Sequence, residues 1–156
     1  MRRILIPVDG SDRSLQAVRC AARQALTGDS VEIHLLNVQP RIFPEDALVS
    51  LPAEKLDTYY YQQSGKALQP AEEVLHAAGL SCFVHRAFGS IAQTIVEKAR
   101  ELDCEAIVMS SCGHGRIAGM LLGSVSVKVL HLADVPVTLI SDATRRPDFT
   151  GRLQAT

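Results

Sequence analysis

From residue 110 to residue 126 the chain reads Ser110-Ser111-Cys112-Gly113-His114-Gly115-Arg116-Ile117-Ala118-Gly119-Met120-Leu121-Leu122-Gly123-Ser124-Val125-Ser126. Four glycines and four serines follow an apolar run there and precede a helical one. Glycine lets a backbone come close to a ligand and takes up positive φ without steric cost. Gly123-Ser124 puts unpaired amides and a hydroxyl at the start of a helix, where the dipole also favours an anion. Phosphate binding is the chemistry such a segment serves; a flexible loop before a capped helix is the plain alternative. It is not a Walker A loop, since no Gly-Lys-Ser/Thr follows the glycines and Lys128 comes too late. Nor is it the Gly-x-Gly-x-x-Gly dinucleotide fingerprint.

Other chemistry-bearing residues point less clearly to a site. Cys112 and His114 lie close enough to suggest a nucleophile and its base, but no orienting third group accompanies them. His34, His76, His85, His114 and His131 show no metal-ligand spacing and read as surface, strand or helix-end residues, with His131 placed to complement its helix's C-terminus. Cys20, Cys82, Cys104 and Cys112 are scattered, with no CxxC pair and hence no disulfide framework or zinc site; the first three read as small core residues. Tyr59-Tyr60-Tyr61 lacks interleaved basic residues and reads as helix packing and surface. A redox or hydrolytic enzyme therefore ranks below a binding module.

The elements that must position the glycine-rich segment follow from the alternation of short apolar runs with longer helical stretches. Ile4 to Val8 is almost continuously apolar, as a parallel strand covered on both faces requires. Ser11 or Asp12 caps a helix with Leu15, Val18, Ala22, Ala25 and Leu26 on one face, ended by Gly28. Val31 to Val38 is the second strand, and Gln39 to Pro52, with Pro40, Pro44 and Pro52, is the longest loop. A helix is expected from Ala53 to Ala78, ending at Gly79, with Pro70 kinking or restarting it. Cys82 to Ala87 is the third strand, and Ser90-Ile91-Ala92-Gln93 has the form of a capping box opening a helix with Ile91, Ile95, Val96 and Ala99 inward. Ala106 to Met109 and Val135 to Ile140 are strands four and five, with a short helix, Ser124 to Leu132, between them. Strands separated by helices imply crossover connections and a parallel α/β sheet. Pro7 breaks the pattern, because proline is excluded from central strands. Either regular pairing ends near Ile6, leaving Pro7-Val8-Asp9 to line the ligand-binding edge of the sheet, or this is an ordinary strand end.

The bulk properties exclude several function classes. The 156 residues suit one domain, with 47% hydrophobic and 21% charged residues, as in ordinary globular proteins. A net charge of −1 leaves no electrostatic footprint for nucleic acid or an anionic membrane. No apolar run approaches the roughly 20 residues of a membrane span. The start, Arg2-Arg3-Ile4-Leu5-Ile6-Pro7-Val8-Asp9, is too short and too soon acidic for a signal peptide, so a cytoplasmic protein is expected. Residues 1–142 are expected to form the domain and 143–156 a flexible tail.

The sequence resembles the universal stress protein family from Met1 to about Ile140. The likeness rests on Ile4-Leu5-Ile6-Pro7-Val8-Asp9-Gly10-Ser11, on Ala87-Phe88-Gly89-Ser90-Ile91 (with Ser90 where proline is frequent), on Ala106 to Met109, on Leu121-Leu122-Gly123-Ser124-Val125 and on Pro136-Val137. The family's ATP pattern is Gly, two residues, Gly, nine residues, Gly, then Ser or Thr. Gly113, Gly123 and Ser124 match its last three positions, and Ser110 stands at the first glycine. If that position needs positive φ, serine there is strained.

The resemblance implies an open five-stranded parallel sheet of order 3-2-1-4-5 with helices on both faces, of the adenine-nucleotide alpha hydrolase-like kind. It implies ATP or AMP as ligand, with Mg²⁺ as a companion. Pro7, Val8 and Asp9 and, across one crevice, Met109 and Ser110 would flank the nucleotide. Asp9 would take ribose hydroxyls or a metal, although alone it also reads as a turn residue. Val38 would pack on adenine, although alone it reads as core. Gly113, Gly123, Ser124, Val125 and Ser126 would cradle phosphates. The resemblance further implies a homodimer through strand five, Val135-Pro136-Val137-Thr138-Leu139-Ile140. No residue stands out as a general base, so little or no turnover is expected. The second reading is a dimeric interaction protein that has lost ATP.

Overall fold

A computed structural model describes residues 1–28, 30–41, 52–113 and 122–141. In chain order the elements are β1 (Arg2–Pro7), α1 (Asp12–Thr27), β2 (Val31–Gln39), α2 (Ala53–Ala77), β3 (Cys82–Phe88), α3 (Ile91–Glu101), β4 (Ala106–Ser110), α4 (Ser124–Leu132) and β5 (Val137–Ile140). All pairings are parallel, and the five strands lie in the order β3-β2-β1-β4-β5. Two apolar layers sandwich the sheet. On one face Ile4, Ile6, Ile33 and Leu35 meet Leu15 and Val18 of α1 and Leu68 and Leu75 of α2. On the other, Leu5, Leu36, Ile107 and Met109 meet Ile95 and Val96 of α3 and Val129 of α4. Strands buried on both sides need apolar residues at successive positions, which is why Ile4, Leu5 and Ile6 are all buried.

Pro7 sits inside β1 rather than beyond it. It pairs with Leu36, and Val8 N continues the ladder by donating to Leu36 O at 2.8 Å. Pairing with β4 covers only Ile4 with Ala106 and Leu5 with Ile107. Backbone N–H groups alternate sides along a strand, so with Val8 N turned to β2 the position of residue 7 that lacks an N–H faces β4. Proline is tolerated because that ladder has already ended. Past Ile107, β4 pairs with β5 as far as Ser110 opposite Ile140. β1 and β4 thus part where the strand order reverses.

The helices show where local pattern and packing disagree. Ser11 caps α1, its hydroxyl accepting from Ser14 N. Leu26, expected on the inner face, is 60% exposed in the last turn, although Ala25 beside it packs against the core. α2 runs unbroken through Pro70 instead of restarting there. Ala67, Leu68, Ala71 and Leu75 are buried around the proline, so packing on the sheet offsets the missing hydrogen bond. α2 ends with Gly79 at φ +71, its N–H on His76 O and that of Leu80 on Leu75 O.

The capping box at Ser90 does not form. Ser90 makes no side-chain cap bond, and Gln93 donates instead to Glu97 Oε1, one turn on. β5 starts at Val137, two residues later than expected; Val135 and Pro136 lead into it, and Pro136 O accepts from Ile107 N. Of the three cysteines expected in the core, Cys104 is buried, whereas Cys20 and Cys82 are half-buried. Burial pushes the Cys104 thiol up to about 11. No described helix is long and apolar enough to cross a membrane. Pro44 and the tail from residue 142 onward lie outside the described residues.

Candidate functional site

Where β1 and β4 part, a crevice of about 380 Å³ opens at the carboxyl edge of the sheet. Pro7, Val8, Asp9, Val38, Met109, Ser110, Gly113, Gly123, Ser124, Val125 and Ser126 all line it. These eleven residues come from four separated segments, and the strand-order reversal brings them together.

On the β1 side, Asp9 is exposed and its Oδ1 accepts from Ser11 N at 2.9 Å and from Ser11 Oγ at 2.5 Å. The turn role open to this aspartate is therefore used by one carboxylate oxygen. The other oxygen, Oδ2, faces Gly113 so closely that a Cβ there would collide with it. Gly10, at φ +83, carries the turn onward, and a Cβ there would lie 3.2 Å from Ala67 Cα of α2, a conformation and a clearance that suit glycine.

On the β4 side, Ser110 is the last residue of its strand and is buried. Asp103 is the one non-glycine described residue with positive φ, so serine at position 110 carries no left-handed strain. Gly113 and Gly123 likewise lie outside the left-handed region, and what they provide is clearance. A Cβ on Gly123 would lie 3.2 Å from Cys112 Cα, and its N–H donates to Ser111 O at 2.7 Å. Gly123 is the N-cap of α4 and offers no side-chain cap. The amides of Ser124, Val125 and Ser126 consequently have no backbone carbonyl partner among the described residues. Ser126 differs from its expected role. It is 2% exposed, and its hydroxyl donates to Ser110 O and Ser111 O at 3.1 and 2.9 Å. That hydroxyl braces the wall. Arg13, half-buried on the first turn of α1, donates from Nη1 to Gly113 O at 2.9 Å and links the two sides.

Sequence reasoning missed the β2 side beyond Val38. Asn37, 2% exposed, donates from Nδ2 to Val8 O, and its Oδ1 accepts from Ser64 of α2 and from Gln39. Together with Gln39, Pro40, Ser14, Ile91 and Ile95 it lines the crevice. The available signal was a lone asparagine interrupting an apolar strand. Of the cysteine and histidine pair, Cys112 lies beside Gly123, while His114 lies outside the described residues.

Away from the crevice, His131 Nδ1 meets Val127 O near the end of α4. His34 is buried between Glu32 and His85, at 2.8 and 2.9 Å. Burial, then the neighbouring His34 and Lys98, holds His85 below the ordinary histidine range. Among the described residues no group of three or more His, Cys, Asp or Glu could hold a metal ion.

The model for "Universal stress protein family" matches residues 1–141. A universal stress protein of Methanocaldococcus jannaschii is 31% identical over 145 residues, spanning 89% of this chain and 81% of that protein. The solved structure of universal stress protein UspA from Lactobacillus plantarum superposes with a TM-score of 0.73 at 23% identity, over 89% of this chain and 97% of the other, a likeness of fold. A universal stress protein crystallised in complex with cAMP superposes with a TM-score of 0.66 at 28% identity, over 89% of this chain and 96% of that one.

Proposed function

The chain belongs to the universal stress protein family, and from that premise we propose that it is a stress-response module that binds ATP or AMP and turns it over slowly or not at all. The observation that carries this reading is the first turn of α4, where three amides with no described backbone partner open onto a crevice bordered by Gly113 and Gly123. Such amides, with the helix dipole behind them, form an anion site. The complex of a 28% identical relative with cAMP supports an adenine nucleotide as the anion's carrier. Ordinary backbone at Ser110 favours retained binding over the reading in which the crevice has lost ATP.

Among the described residues Asp9 is the one ionisable side chain lining the crevice. A carboxylate beside a phosphate site suits a hard, oxygen-preferring cation, so Mg²⁺ fits there and would offset phosphate charge. Ser11 ties Asp9 into its turn, and no His or Lys lines the crevice among the described residues, which supports binding without efficient hydrolysis. We also propose a cytoplasmic homodimer joined through strand five. β5 is a sheet edge with an apolar sequence, and Leu130 and Leu132 of the preceding helix are exposed. Light scattering should give twice the chain mass.

Titration calorimetry tests the nucleotide reading. Micromolar ATP affinity is expected, and absence of binding at millimolar ATP with Mg²⁺ rejects it.

A further inference from the structure

We propose that Arg13 is a positioning residue that holds the phosphate wall of the crevice against the Asp9 turn, and that through it the site favours nucleotides with a phosphate chain over bare nucleosides. The inference rests on the nucleotide reading above.

Gly113 is gripped from two directions by the start of α1. Asp9 Oδ2 presses on the position its side chain would take, and Arg13 Nη1 donates to its carbonyl. These contacts run from Asp9 on the loop after β1 and Arg13 on the first turn of α1 to Gly113 on the loop after β4, a hundred positions along the chain from Arg13. The two strands no longer pair at this level, so backbone hydrogen bonding does not hold the loops together. Arg13 does so through a charged donor, which makes a stronger bond than a neutral one.

Charge gives the second argument. Among the described residues the crevice lining carries one ionisable side chain, the Asp9 carboxylate, a charge of the same sign as phosphate. Among the described residues, Arg13 is the one cation hydrogen-bonded to a residue of that lining. Its guanidinium brings a positive charge to Gly113 O, which offsets the carboxylate set against the same glycine. A ligand without phosphate gains little from that offset or from an ordered α4 approach. A polyphosphate gains from both.

The experiment is calorimetry of ATP, AMP and adenosine against the unaltered protein, Arg13→Ala and Arg13→Lys. Arg13→Ala should weaken ATP on the order of tenfold or more, AMP less, and adenosine by under about twofold. Arg13→Lys, which keeps the charge but loses the planar fork, should fall between. In ligand-free Arg13→Ala, hydrogen exchange should quicken at Ser111 to Gly113 and stay unchanged at Ala106 to Met109. Equal losses for ATP and adenosine, or an unchanged ATP affinity, overturn the proposal while leaving the nucleotide reading intact. Failure of the unaltered protein to bind ATP overturns both. Should Arg13→Ala not fold, Arg13→Lys carries the same comparison between ligands.

Discussion

The two walls of the crevice are built on opposite principles. On the β2 side Asn37 is buried and uses its carboxamide in three hydrogen bonds, to Val8 O, Ser64 and Gln39. On the α4 side the amides of Ser124, Val125 and Ser126 have no backbone partner among the described residues. A satisfied polar network holds a wall in place, and removing one member leaves the others unpaired in a dry setting. The α4 amides make no backbone hydrogen bond among the described residues, and on the proposed reading they are the groups that take an anion. Substitutions in the first wall should therefore register as stability, and those in the second as affinity.

The sharpest test of this division is Gly123→Val. Its added carbons meet the Cys112 backbone, so ATP affinity should fall by roughly a hundredfold or more, about 2.7 kcal/mol. Calorimetry measures the loss; a thermal midpoint that drops as steeply would break the comparison. Asn37→Leu is the counterpart. It strips partners from Val8 O, Ser64 and Gln39 and should cost about 2–3 kcal/mol in urea unfolding, with a smaller change in the affinity of the folded protein. Ser126→Ala probes the junction, since its hydroxyl braces Ser110 O and Ser111 O. A loss of about 1 kcal/mol in stability is expected, with affinity falling only as far as the α4 turn shifts. Ser110→Gly should do least at the site. The backbone there is ordinary, so ATP affinity should change by less than about threefold, under roughly 0.7 kcal/mol.

His85, on β3 beside Leu36 of the β2 wall but not itself among the lining residues, offers a control by pH. Its proton affinity is depressed in the fold, so the unfolded chain takes up the proton first. Stability should decline as pH falls from about 7 through the ordinary histidine value, and His85→Gln should flatten that decline in thermal melts.

Much of this architecture was legible in the sequence. Periodicity placed nine elements, and the resemblance to the family's glycine pattern singled out Gly113, Gly123 and Ser124, which line one side of the crevice. What it missed was decided by tertiary context. Leu26 continues an apolar stripe, yet it is 60% exposed while its neighbour Ala25 still packs against the core. Gln93 has the spacing of a capping partner, yet Glu97 one turn away competes for it. Pro70 carries the local cost of a helix break, and four buried neighbours outweigh it. Asn37 is the instructive miss. A polar residue in a buried strand is explained by its partners, and those lie on β1, on α2 and two residues further along its own strand.

Pro7 shows how the chain keeps its crevice open. A cleft held apart by bulky side chains can be lost when any of them changes. This one is set in the main chain: residue 7 has no N–H to offer β4, so the β1–β4 ladder cannot lengthen past it by adding the next rung. The lining side chains are thereby released from any duty to prop the strands apart. Substitutions at Val8, Val38, Met109 or Ser110 can then change the lining of the crevice without closing it.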